Sequence, residues 1–575
     1  MRADQHHCCS DTRKLDVIRG GHYVPMATSQ PPINRRQLVT GSLAGAALVA
    51  LPGTAVAHRG ERTAPGLISR RLTLPSGVAS GDVSSNSAVL WARASGRGRL
   101  HATLQAVSAD GAPLRGRFAR GLRLTSGWAT PECDHTAKIF AGKLPSGTRF
   151  KVTYAFEDER GRLGERAVGS FTTAPGKRFG PKTSAAQSFV WTADTAGQGY
   201  GINEEIGGMR GYAAMHATTP DFFLHSGDTV YADNPIEKTL EVPNEPLWRN
   251  VVTDEVSKVA ETLNEFRGRH RYNMMDKNLR AMYAEVPVIA QWDDHETTNN
   301  WWPGEILEDE RYTQVRDVDT LAARGRQAWQ EYMPTADSRA LSRGTGFEPA
   351  RIYRKVERGD HLDVFALDMR TFKSENTPGK EPHETDILGE EQTRWLIREL
   401  RRSRATWKVI GNDLPLGLIV PDDKDQESIS NADHGAPLGR ELQLARILKA
   451  IKDHDIKNVV FLTGDVHYCA AHHYSPERGV QGLQAVLGVR GRAHQRWRLW
   501  VQRIGSHLRT PRGFRTGRPT HGLTPQRRSP VLRPCGHHRG RQRVHRQAGQ
   551  RQRQGRVPAN AHPRALIRQG STPPR

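Results

Sequence analysis

Phe222–Asp233, FFLHSGDTVYAD, decides how the rest of the chain is read. Its first three residues make a short apolar run that ends directly in a turn carrying Asp228 and Tyr231. Such a run, bounded by turn residues, is the mark of a buried parallel strand. In open α/β sheets, ligands gather just beyond the carboxyl ends of these strands. The same grammar recurs three times. Phe189-Val190-Trp191 leads to Asp194, Val288-Ile289-Ala290 to Asp293, Asp294 and His295, and Val459-Val460-Phe461-Leu462 to Asp465 and His467. Four strand ends that each deliver a carboxylate or an imidazole are what a two-metal site requires, and such sites suit hydrolysis of phosphate esters.

Charge and length narrow the class. A chain of 575 residues exceeds what one core supports and predicts two or more domains. The net charge of +23 invites a nucleic-acid reading, but residues 479–575 hold 22 Arg and no Asp, Glu or Lys. Residues 1–478 therefore carry a net charge of +1, and no specific nucleic-acid partner is expected. Two readings of the Arg-rich run stay open. One is a disordered tail that binds polyanions, and the other is a shift of reading frame in a GC-rich coding region. The abrupt loss of acidic residues favours the second. The five cysteines, Cys8, Cys9, Cys133, Cys469 and Cys535, show no paired spacing for zinc and no disulfide framework.

Residues 1–57 read as a leader. Ser29–Val39 contains the pair Arg35-Arg36, a moderate apolar run follows, and Ala55-Val56-Ala57 offers a small-residue cleavage site. The apolar run is too short for a membrane span, and the paired arginines look like a twin-arginine signal. Export by the twin-arginine machinery, cleavage near Ala57, and a periplasmic, extracellular or cell-wall location without a stable membrane span are expected. Translation could begin at Met1 or at Met26. Residues 65–175 alternate apolar and polar positions between turns, as in Ser87–Arg93, Arg149–Tyr154 and Gly169–Thr173, and predict a small β-sandwich. Residues 187–478 change to strands separated by helical segments, the texture of an α/β layer. Leu388–Leu400 is the clearest helix, with Trp395, Leu396 and Leu400 on one face. The basic, polar stretch Lys258–Met282 reads as helix with a solvated face.

Roles at the strand ends follow from the chemistry. Asp228 is the candidate bridging carboxylate, with Asp194 and His467 on the first ion. Tyr231 can coordinate as a phenolate if that ion is Fe(III), Asp294 suits the second ion, and Asp465 adds a carboxylate beside His467. His295 could stabilise the transferred phosphoryl group or protonate the leaving oxygen. Asn299 and Asn300 are candidates for a neutral ligand or a substrate contact, Arg370 for a substrate contact. Trp301 and Trp302 could pack against an organic leaving group or belong to the core.

The ordered series SGVASGDVSSNSAVLWAR (76–93), HSGDTVYAD (225–233), WDDHETTNNWW (292–302), LDMRTF (367–372), LGEEQTRWL (388–396), WKVIGND (407–413) and FLTGDVHY (461–468) resembles the alkaline phosphatase D (PhoD-like) family of metallophosphoesterases over roughly residues 70–475. The resemblance implies an α/β, four-layer α+β metallophosphoesterase sandwich preceded by a small all-β fibronectin-like domain. It implies an exported alkaline phosphatase or phosphodiesterase that acts by attack of a metal-held hydroxide, with iron and calcium as the metals. Asp228 and Tyr231 match the GDxxY ligands, and Asp465 and His467 the GDVH ligands. Two departures stand out. Some members carry a cysteine ligand after the first catalytic strand, where this chain reads Trp191-Thr192-Ala193-Asp194-Thr195, so the metal pair could differ from iron and calcium. Members also continue past GDVH with an acidic and aromatic segment, which the Arg-rich run replaces. Alternatives are a phospholipase D-type diesterase, a polyanion-binding protein and an inactive chain.

Overall fold

A computed structural model describes residues 71–176, 186–241, 246–335, 350–431, 435–467, 469–474 and the strand Val486–Arg490. The export signal, its cleavage site and the residues after 490 lie outside these.

Seven strands come first: β1 (Val78–Gly81), β2 (Ala88–Arg93), β3 (Gly98–Val107), β4 (Leu122–Ala129), β5 (Thr136–Ala141), β6 (Arg149–Glu157) and β7 (Leu163–Thr172). Antiparallel pairing gives one sheet in the order β4-β3-β6-β7, packed on β1, β2 and β5. Leu90 and Ala92 from one layer meet Leu100, Leu104, Phe150, Val152 and Phe171 from the other, which is the alternation expected of a sandwich. Residues 78–172 are thus all-β. They also extend into the next region, because β1 continues a larger sheet through Gly81 beside Val288.

That sheet has the order β5-β2-β1-β12-β9-β8, where β8 is Phe189–Thr192, β9 Phe222–Ser226 and β12 Val288–Gln291. Two short strands, β10 (Thr239–Leu240) and β11 (Trp248–Arg249), form a hairpin outside it. A second six-stranded sheet runs β13-β14-β15-β18-β20-β19, with β13 Arg354–Glu357, β14 Leu362–Ala366, β15 Trp407–Asn412, β18 Val459–Thr463, β19 Ala471–Tyr474 and β20 Val486–Arg490. Between them in sequence, β16 (Pro421–Asp422) and β17 (Asp425–Gln426) make a small hairpin. Strand β20 pairs in parallel with β18. It lies beyond residue 478, where composition places the start of the tail; its residues VLGVR are apolar enough to continue a sheet even though the surroundings are Arg-rich.

Period-two alternation sorts each strand's side chains into two cores. Phe222, Leu224, Ile289, Val364, Ala366, Val409 and Leu462 meet between the two sheets. Their neighbours Phe223, Val288 and Ala290 face helices α1 (Arg210–His216), α2 (Leu263–Asn273), α3 (Lys277–Glu285) and α4 (Val318–Tyr332) through Tyr212, Tyr272, Met282 and Trp329. On the other sheet, Phe365, Ile410 and Phe461 face α5 (Gly389–Arg402) and α6 (Arg440–Asp453) through Trp395, Leu396, Ile447 and Leu448. The order helices, sheet, sheet, helices is the four-layer α/β sandwich expected. Each fully buried Phe or Leu contributes about 1.5–3 kcal/mol.

Helix α2 departs from its sequence reading as a solvated face. Phe266, Arg269, His270, Tyr272 and Asn273 are buried. Arg269 donates to the Asn234 and Lys258 carbonyls, and His270 stacks on Tyr332 at 5.1 Å. Charge alone suggests solvent, but carbonyl partners for both terminal nitrogens of Arg269 let a cationic helix enter a core. The helix start is fixed by a capping box between Thr262 and Glu265. Trp301 is 2% exposed and belongs to the core, while Trp302 is half-buried.

Candidate active site

Asp194, Asp228 and Asp465 each stand two residues past a strand, β8, β9 and β18 respectively, and each holds a left-handed backbone with φ of 61°, 52° and 62°. Aspartate tolerates that region better than most residues, yet three repeats at corresponding positions mark an imposed geometry. The preceding glycines allow the strand ends to crowd together. A Cβ on Gly227 would lie 2.4 Å from the Asp293 Cβ, and one on Gly464 2.6 Å from both the Ala193 Cβ and the Ser226 carbonyl. The loops also bond directly, since the Thr195 N–H donates to the Asp228 carbonyl at 2.8 Å.

At one end of the site Tyr231, Asp194 and His467 converge. The Tyr231 hydroxyl lies 3.2 Å from Asp194 Oδ1 and 3.1 Å from His467 Nε2, and His467 Nε2 lies 3.3 Å from Asp194 Oδ1. In the centre, ligand atoms of Asp228, Asp294 and His295 fall within 4.8 Å of one another. At the far end the same is true of Asp293, Asp294 and Asp465. Asp294 belongs to both groups, so the carboxylates form one continuous chain.

His295 points its Nδ1 at Asp233 Oδ1, 2.7 Å away, and its ring stacks on Tyr231 with centroids 4.0 Å apart. Burial disfavours the imidazolium, but Asp233 and Asp294 outweigh burial and raise the pKa to about 10. Asn299 is exposed, and its backbone N–H donates to Asp233 Oδ2 at 3.0 Å. Asn300, at φ 57°, donates its N–H to Asp294 Oδ2 at 2.7 Å and its side-chain amide to Asp422. The Asn300 carbonyl accepts from Lys373 and Asn376, which fixes the loop. Arg370 is fully buried beneath the carboxylates, donating to Asp293 Oδ1 at 2.6 Å and to Glu427 at 2.5 Å. It lies among acids rather than at a surface.

Mutual repulsion dominates the electrostatics. Burial and then Asp294, Asp293 and Asp194 push Asp228 well above the usual carboxylate range. Burial raises Asp293 as well, despite Arg370, and burial with Glu427 and Asp294 raises Asp465. Asp294 goes the other way, because His295, Arg370 and the Asn300 N–H outweigh its burial. Asp194 is also lowered, burial being overcome by His467. Buried oxygens without a partner among the described residues include Oδ2 of Asp194, Asp293 and Asp465. Acids crowded together with free oxygens aimed inward fit cations, which would reverse the upward shifts.

Three participants escape the sequence reading of roles. Asp293 sits beside Asp294 in the same tetrapeptide, and spacing cannot choose between adjacent acids. Asp233 closes the FFLHSGDTVYAD stretch, five residues after Asp228, and only the turn brings it to His295. Glu296 accepts from the Asp228, Thr229 and Asp293 backbones and so ties two loops together.

Sequence comparison agrees with this architecture. Residues 189–491 match the family model described as PhoD-like phosphatase, and residues 61–175 match the PhoD-like phosphatase N-terminal domain. Alkaline phosphatase D of Bacillus subtilis (strain 168) is 28% identical over 456 residues, covering 76% of this chain and 71% of that protein. A solved structure of PhoD superposes with a TM-score of 0.56 at 23% identity, covering 75% of this chain and 78% of the other, which speaks to the fold.

Proposed function

Since the chain belongs to the PhoD-like phosphatase family and is a hydrolase acting on phosphoric esters, we propose that it is an exported, metal-dependent alkaline phosphatase and phosphodiesterase. The observation that carries metal dependence is the row of strand-end acids in which, among the described residues, Asp194, Asp293 and Asp465 each keep a buried oxygen without a partner. The residues fit the metals that the family resemblance suggests. Tyr231, Asp194 and His467 offer the mixed oxygen and nitrogen donors suited to iron. Asp293, Asp294 and Asp465 offer the all-oxygen set suited to calcium. Asp228, within reach of Asp294 and His295, stands between the two groups. When bound, such ions polarise the phosphoryl oxygens and activate water.

The chain's own groups supply the remainder. Asp233 holds His295 charged and oriented, so that its Nε2 can donate a proton to the leaving oxygen. Tyr231 stacks under the same ring and limits its rotation. Arg370 neutralises Asp293 and Glu427 from beneath and keeps the acidic loops together without touching substrate. Export would use the Arg35-Arg36 signal with cleavage near Ala57, and among the described residues no helix is long and apolar enough to cross a membrane.

The test is metal analysis of the purified chain, with turnover of a chromogenic phosphomonoester and a phosphodiester at alkaline pH before and after chelation. We expect about two or more ions per chain and turnover that falls at least 100-fold on chelation and returns with added metal. Metal-free protein with undiminished turnover would overturn the reading. The ratio of the two ester rates separates monoesterase from diesterase.

A further inference from the structure

The outward face of the sheet β4-β3-β6-β7 is cationic. Register places Thr103 between Arg123 and Thr153, Gln105 beside Lys151, Val107 beside Arg149, and Ala155 between His101 and Arg166. Alternation sends their neighbours Leu100, Leu104, Phe150, Val152 and Tyr154 into the sandwich core, so the residues in these rows share the opposite face. Arg99, Arg123, Arg149, Lys151 and Arg166 are all exposed on it. Among the described residues, none of Arg123, Arg149, Lys151 and Arg166 has an ion-pair partner. Glu157, opposite Arg99 in the register, is taken by His101 at 2.5 Å. Arg99 lies over the Trp128 ring at 4.4 Å, which orients its guanidinium at the edge of the face.

Five cations spread over four strands cover a strip about 14 Å wide, with Arg149 and Lys151 about 7 Å apart along β6. Between them lie Thr103, Thr153, Ser170 and Thr172, short hydroxyls that can donate to anionic oxygens. Cations spread across a sheet face suit a flexible chain laid over them rather than a small ion. Like charges gathered on one face oppose folding and gain only if an anion neutralises them.

We propose that this face binds a linear polymer of phosphate groups and holds the enzyme on it. The choice of phosphate among anions rests on the phosphoesterase reading, whereas binding by the face does not need a working catalytic site. The face is part of the all-β region and does not include any residue of the catalytic loops.

The experiment measures binding of linear inorganic polyphosphate to the full chain, in chelator so that no turnover occurs, as a function of salt. The triple variant Arg123→Gln, Lys151→Gln, Arg166→Gln is compared with wild type and with a control, Arg398→Gln, Arg401→Gln, Arg402→Gln on α5. The face variant should bind at least 10-fold more weakly. Its slope of log K against log salt should be reduced by about 2, since each phosphate left without its cation lowers the slope by about 0.7. The control should retain both values. Equal losses in the two variants, or an unchanged slope in the face variant because the Arg-rich residues 491–575 carry all the binding, would overturn the proposal. The charge-keeping variant Arg123→Lys, Lys151→Arg, Arg166→Lys should bind as wild type, and weaker binding there would also overturn it. Turnover of a small chromogenic ester with metal restored should match in every variant, which reports on the catalytic reading separately.

Discussion

At the scale of single residues, the site works by opposing charges in a dry place. Asp228, Asp293 and Asp465 are all raised by burial and by neighbouring acids, Asp294 among them each time, while His295 is held protonated by Asp233 and Asp294. Asp233 acts through His295, which makes it a positioning residue. Its replacement in Asp233→Asn keeps the shape and removes the charge that holds the imidazolium. Turnover of esters with poor, alkyl leaving groups should fall about 10–100-fold, because these need a proton in the transition state. Esters with nitrophenolate leaving groups should lose much less. Equal losses on both, measured as kcat, would mean that Asp233 serves the metal loops and not proton donation.

At the scale of elements, strands from two sheets share one inner layer. Ile289 is fully buried in it, beside Leu224 of the neighbouring strand β9 and clustered with Val364 of the facing sheet. It also belongs to β12, whose carboxyl end carries Asp293, Asp294 and His295. Ile289→Ala removes buried methylenes and leaves a cavity, so denaturant unfolding should show a loss of about 2–5 kcal/mol. The strand is paired on both sides, by β9 and by β1, which keeps the catalytic loop in register. Metal content of the folded fraction should therefore stay near wild type, and a parallel loss of metal would show that the strand ends shift when the layer relaxes.

At the scale of the whole molecule, one acid joins the all-β region to the helices. Asp134, in the loop between β4 and β5, takes Arg93 at 2.9 Å, Arg271 of α2 at 2.8 Å and the Tyr332 hydroxyl of α4. Burial opposes its charge, but Arg93, Tyr332 and Arg271 prevail and lower its pKa to about 2. A carboxylate with a depressed folded pKa stabilises above its unfolded value near 4 and loses that contribution as pH falls toward 2. After allowance for its partial exposure to solvent, the contribution is about 1–2 kcal/mol. His270 adds to the same acid slope, since burial lowers its pKa to about 3 and protonation is disfavoured in the fold from about pH 6.5 downward. Stability between pH 6 and pH 3 should fall less steeply in Asp134→Asn than in wild type, with the variant less stable at neutral pH. Curves of identical slope would remove Asp134 from the account.

Local patterning in the chain specifies the strands that carry the site. Four apolar runs each ending in an acid or histidine specify β8, β9, β12 and β18 and the residues at their carboxyl ends, because period and turn residues are local signals that survive in one dimension. The amphipathic helix α5 was equally legible, since its apolar stripe repeats every turn. Which of two adjacent aspartates joins which group, the contact of Asp233 with His295, and the burial of Arg370 under acids emerge from packing alone. These depend on the distance between loops that are far apart in the chain, where no local pattern reports proximity. The burial of α2 and the strand Val486–Arg490 inside an Arg-rich stretch belong to the same class. Composition states how much charge a segment carries, whereas partners supplied by distant elements decide whether that charge meets water or a core.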